Sequence, residues 1–129
     1  MADHGTVDQA AADQRAADHG SATLWSVGGI AVLFLVAAMV LAVGAVVQTR
    51  HRATSAADLA ALAAAVGAPE GTSAACTRAR WVTDQMRAML TGCRIVDWNA
   101  LVEVSAALPG ELSRFGQVTA HSMAGPADN

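Results

Sequence analysis

The chain has 129 residues, a formal net charge of −3 and two cysteines. Once a long apolar run is set aside, that length leaves room for one small domain. The 53% hydrophobic content leans on alanine, which buries little area, and no stretch is basic enough to neutralise several phosphates, which argues against a nucleic-acid partner.

Residues 1–20 carry Asp3, Asp8, Asp13 and Asp18 against Arg15. They read as an acidic, flexible leader, in which "ADHG" at 2–5 recurs at 17–20 as a local duplication. If Met1 is removed, Ala2-Asp3-His4 offers nitrogens suited to square-planar copper(II) or nickel(II). Such endings arise readily by chance, and no metal role is assigned to this one. The other histidines, at 19, 51 and 121, are scattered without metal-ligand spacing. A Gly-rich phosphate loop, a His-Glu-x-x-His pair and a Ser-His-Asp set are all missing from the sequence. The expected protein is not an enzyme and holds no cofactor.

From Leu24 to Val47 the sequence "LWSVGGIAVLFLVAAMVLAVGAVV" has one hydroxyl and no charge. As a helix it would be roughly 36 Å long, enough to cross a hydrocarbon core with some tilt. It is apolar on every side, and a chain this short has no second layer to hide it. A removable secretory signal would need a basic n-region and a shorter apolar stretch, so the segment is expected to stay as an anchor. Asp18 precedes the run and Arg50 and Arg52 follow it, an asymmetry that by itself places the C-terminal part in the cytoplasm.

No proline or glycine interrupts the chain again until Gly67, and the intervening alanines favour helix. One helix is expected from about Ala22 to Val66, with Leu59, Leu62, Ala63 and Val66 on one face and Thr54, Ser55 and Asp58 on the other. Gly67 is placed to cap it and Pro69 to break it. Thr72 and Ser73 are candidate N-caps of a second helix, on which Cys76, Ala79, Val82 and Met86 share a face. "CRIVDW", "LVEVSA" and "FGQVTAHSM" read as short strands, with a hairpin turn at Asn99-Ala100 and a break at Leu108-Pro109-Gly110. The expected divisions are a leader at 1–20, a long helix at 21–66 with its apolar part at 24–47, a small α+β head at 67–126, and a tail at 127–129.

Cys76 and Cys93 are either bridged or both free. A bridge needs Cα atoms within about 7 Å. Were the second helix to continue to Thr91, roughly 22 Å of helix axis would separate the two ends. Pairing is therefore compatible only with a helix ending near Gln85 or Met86 and with Met89 to Asp97 already in strand. The spacing is far from Cys-x-x-Cys.

A short polar leader ending in glycine, a long hydrophobic helix, its extension and a small head together resemble type IV pilin-like subunits. More closely, "GSATLW", "RHRATSAADLAALAAA" at 50–65, the two cysteines, "LPG" and "AGP" resemble the actinobacterial TadE-like family, over roughly residues 18–127. The resemblance implies a minor pseudopilin-like component of a Tad/Flp pilus or secretion apparatus. Its partners would be other pseudopilin or TadE-like subunits, Tad assembly proteins and a prepilin-type peptidase. It implies a single pass through the cytoplasmic membrane, N-terminus in and head out, against the asymmetry of Arg50 and Arg52. A head outside the cytoplasm in turn favours a Cys76–Cys93 disulfide. Prepilins are cut after a glycine, and here Gly20 and Ser21 match that junction. The family's filament glutamate falls at the fifth mature position, where this sequence has Trp25. An unpaired buried charge is costly, so losing that glutamate fits a minor or initiating subunit better than a repeating one. Trp25 also reads simply as an interfacial membrane anchor. Two other functions fit the residues: an unprocessed membrane-anchored interaction protein, and a thiol redox protein using the cysteine pair.

Overall fold

The computed structural model describes His4–Pro126. The 127–129 tail, and Ala2 and Asp3 of the N-terminal tripeptide, lie outside the described residues. The elements in order are α1 (His4–Gly67), a 3-10 turn (Ala68–Glu70), α2 (Thr72–Gln85), β1 (Met89–Val96), β2 (Asn99–Ala107), a 3-10 segment (Gly110–Phe115) and β3 (Gln117–Ala124). The architecture is α+β: a long N-terminal apolar helix, then a small helix and an antiparallel sheet in the order β1-β2-β3. The chain forms two compact units, one up to Leu41 and one from Ala42 onward, and α1 contributes to both.

In the first unit α1 begins at His4, well ahead of the start near Ala22 that the polar composition suggests. Helix formation explains the difference. Nucleation is the costly step, and once the apolar segment is helical each further residue adds a bond at little cost. The leader contains no proline to stop that propagation. Its apolar stretch is long enough to cross a membrane, and none of it is buried against the rest of the chain. The one hydroxyl between Leu24 and Val47, on Ser26, donates to the Ala22 carbonyl at 2.8 Å. That bond satisfies it within the helix, as a segment in hydrocarbon requires.

In the second unit the core is built largely of alanine. Ala53, Ala56, Ala57, Ala60, Ala61 and Ala64 of α1 are fully buried, and most of them cluster with Ala75, Ala79, Ala100, Val102 and Val104. Val104 and Thr83 are the largest fully buried side chains. The buried face of α1 is thus its alanine stripe, while Leu59, Leu62 and Val66 point outward. Small side chains let the helix approach its neighbours closely, and size rather than hydrophobicity has chosen the inner face. Asp58 lies beside that stripe and accepts a 2.6 Å hydrogen bond from the Ser122 hydroxyl of β3.

Gly67 ends α1, but not as a left-handed cap: its φ is −82°. A Cβ there would stand 2.9 Å from the Cα of Ala75, so the glycine serves the crossing of α1 and α2. Pro69 sits in the 3-10 turn, and the left-handed residue is Gly71, with φ 107°. Gly71 is also the N-cap of α2, without a side-chain bond, while Thr72 and Ser73 lie inside the helix. The two candidate caps of the sequence reading are therefore first-turn residues, and Ser73 instead accepts the Thr77 hydroxyl at its carbonyl.

β1 pairs with β2 from Met89↔Ser105 to Val96↔Asn99, with a bulge between Leu90 and Gly92. β3 pairs along the other side of β2 without irregularity. The hairpin turn is Asp97-Trp98, both at positive φ, and Asn99-Ala100 already belong to β2. A two-residue loop in which both residues are left-handed is the turn that matches strand twist. Asn and Asp reach that conformation most easily, and Asp97 supplies one of them; Trp98, the other turn residue, is the type least expected there. The break at Leu108-Pro109-Gly110 leads into the second 3-10 segment, where Arg114 pairs with Glu111.

Candidate functional site

No described group resembles a catalytic centre. Among the described residues, no three His, Cys, Asp or Glu side chains converge on a metal position. An open hollow on the outer sheet face lies over Gly92, lined by Arg94, Leu101, Glu103, His121 and Met123. His121 Nδ1 and Glu103 Oε2 stand 3.7 Å apart in it, the histidine largely exposed and the glutamate about half-buried. The features that can carry a function are the N-terminal junction, the disulfide and the outer face of the head.

Gly20 and Ser21 lie within α1, both exposed, and a Cβ at Gly20 would meet nothing within 4 Å. A peptidase needs extended backbone at the bond it cuts. Glycine is the residue at which a helix gives way most readily short of proline, about 1 kcal/mol weaker than alanine. Trp25 is 83% exposed, a little more than one turn beyond Ser21. An aromatic with a polar edge is suited to the boundary between headgroups and hydrocarbon.

Cys76, at the start of the second turn of α2, is bridged to Cys93 in the middle of β1, with Cα atoms 5.8 Å apart. α2 ends at Gln85 and β1 begins at Met89, so the return path that pairing demanded is present. The bridge ties the helix to the sheet beside a core poor in large side chains. Stapling of this kind is what small domains with little apolar burial use.

The outer face of the head is not marked by any motif in the sequence. Leu62 and Val66 are 57% and 69% exposed, and Trp81 and Trp98 are each 66% exposed. Val66 borders two shallow hollows. One, of about 500 Å³, is shared with Ala63, Trp81 and Val82, and the other, of about 490 Å³, with Leu62, Pro69 and Trp98.

A long apolar helix followed in the chain by a small, disulfide-stapled α+β unit is consistent with a pilin-like fold. Within that class, residues 20–67 match the family model described as putative Flp pilus-assembly TadE/G-like. The matched segment runs from Gly20 to the last residue of α1. The chain is also 56% identical over 48 residues to a protein named apoptosis inhibitor Rv3654c, from Mycobacterium tuberculosis strain ATCC 25618 / H37Rv. The likeness covers 37% of this chain and 57% of that relative. No solved structure gives a significant match.

Proposed function

We propose that the protein is a minor, non-enzymatic, pseudopilin-like membrane component of a Tad-type pilus or secretion apparatus. α1 anchors it in the cytoplasmic membrane with the N-terminus inside and the head outside. The observation that carries this reading is the coincidence of the family match with α1. It starts at Gly20, where a prepilin-type peptidase would cut, and spans the whole apolar segment. The Cys76–Cys93 bridge supports a head outside the reducing cytoplasm. Cutting after Gly20 would leave Ser21 as the N-terminus and Trp25 as the fifth residue, with no carboxylate to pair with a neighbour's amine. The subunit would then initiate or cap an assembly rather than repeat through it. Other TadE-like or pseudopilin subunits and Tad assembly proteins are its partners, and the prepilin-type peptidase processes it. Intact-mass measurement of the protein extracted from its own cells tests the processing. A species beginning at Ser21 is expected, and an uncut N-terminus in cells that contain the peptidase would refute it.

A further inference from the structure

We infer that the head rests on the surface of the bilayer that α1 enters, through Phe115, Met89, Arg87 and Arg114 at one end of its sheet. Two contacts fix where that end lies along α1. Trp98 and Gly125, at the other end of the sheet, share a hollow with Leu62 and Val66 near the C-terminus of α1. Ser122 of β3 donates to Asp58, lower on the helix. Followed back toward its first residue, β3 therefore descends along α1 in the direction of the apolar run.

From Ser122 to Gln117, where β3 begins, is about 17 Å of extended strand. The same length of helix is about 11 residues and leads from Asp58 to Val47, where the apolar run ends. A tilt of strand against helix shortens the descent by a residue or two. Thr49 marks the level independently. It is only 4% exposed, so the head still covers α1 just past Val47.

Phe115 precedes Gln117 by two positions, which holds it within about 7 Å of that level. It is 75% exposed, and the Arg114 guanidinium lies 6.0 Å over its ring. β1 begins at the same end of the sheet, because Met89 pairs with Ser105 and Gln117 with Ala107. Arg87, Met89, Ala107 and Gln117 accordingly border one hollow, and the Met89 side chain is exposed.

The level selects the occupant. Val43, Val46 and Val47 are exposed directly below, and the hydrocarbon they require brings its headgroups to this end of the head. An aromatic ring suits the boundary between headgroups and hydrocarbon. Arginine lays its stem on apolar surface and offers its fork to lipid phosphates. Charge agrees with this. Arg50, Arg52, Arg87 and Arg114 gather here against Asp84 and against Glu111, which pairs with Arg114. Anionic lipid attracts such an excess. The inference rests on the anchoring of α1, and not on its orientation or on processing at Gly20.

The test uses the full chain, with its native disulfide, in liposomes of phosphatidylcholine and phosphatidylglycerol brominated on the acyl carbons nearest the glycerol. Three chains with one indole each are compared. Trp25→Phe, Trp81→Phe, Trp98→Phe and Phe115→Trp together leave it at position 115. Trp25→Phe with Trp81→Phe leaves Trp98, and Trp81→Phe with Trp98→Phe leaves Trp25. Quenching at 115 should exceed that at Trp98 about threefold or more, since β2 separates the two ends by about 27 Å. Equal quenching, or more at Trp98, overturns the proposal. Adding Arg87→Ser and Arg114→Ser should lower quenching at 115 about twofold, and no change would overturn the phosphate contacts. The unaltered chain, illuminated with a photoactivatable phospholipid, should carry adducts at Phe115 or Met89 as well as within residues 24–47. Adducts confined to 24–47 also overturn the proposal. If Trp25 is unquenched as well, α1 is not inserted and the anchoring itself is refuted.

Discussion

Replacing Gly67 by alanine sets two effects of opposite sign against each other. At φ −82° the backbone is right-handed, so alanine fits it and gains up to about 1 kcal/mol in helix propensity. The new Cβ, however, would stand 2.9 Å from the Cα and 3.2 Å from the nitrogen of Ala75, and 3.1 Å from the Arg78 Cδ. The arginine can swing aside; the α2 backbone cannot, because the Cys76–Cys93 bridge fixes it one residue away. Overpacking against backbone costs typically 1–3 kcal/mol, so the expected net is a loss of about 1–2 kcal/mol in head stability. Urea unfolding of the full chain in detergent micelles, followed by Trp fluorescence and far-ultraviolet dichroism, measures it. If Gly67→Ala raises the midpoint, the close-crossing explanation of this glycine is wrong.

Three further outcomes follow from the same packing. Ala60→Leu, on the fully buried stripe, should destabilise the head by about 1–3 kcal/mol, whereas Leu62→Ala on the exposed face should shift it by less than about 0.5 kcal/mol; paired urea midpoints check this. Reduction of the disulfide, which closes a separation of 17 residues, should cost about 3 kcal/mol on the chain-entropy account, and equal midpoints with and without reductant would contradict it. Asp58→Ala and Ser122→Ala should each cost about 0.5–1.5 kcal/mol, and a double-mutant cycle in the same assay should show them to be coupled.

Much of this architecture is legible in the residues, and what is not has identifiable causes. The uninterrupted apolar run and the Gly67–Pro69 break mark the extent of α1 toward its C-terminal end. The geometric demand of a Cys76–Cys93 bridge locates the end of α2 and the start of β1. The N-terminal limit of α1 is missed because helix propagation from a formed nucleus overrides the polarity of the leader. Its inner face is set by close approach, which selects the alanines and leaves Leu59, Leu62 and Val66 outside. The hairpin turn is displaced by two residues because neither Asp97-Trp98 nor Asn99-Ala100 carries a glycine to mark it, and Trp98 occupies a conformation that propensity alone would not give it.

Topology is the most direct test of the whole account. Arg50 and Arg52 alone would draw the head into the cytoplasm, whereas the Cys76–Cys93 bridge favours the outside proposed above. With Ser113→Cys as an exposed reporter and the native disulfide intact, a membrane-impermeant maleimide should label right-side-out vesicles without detergent. Labelling only in inverted or detergent-opened vesicles would put the head in the cytoplasm and contradict the account.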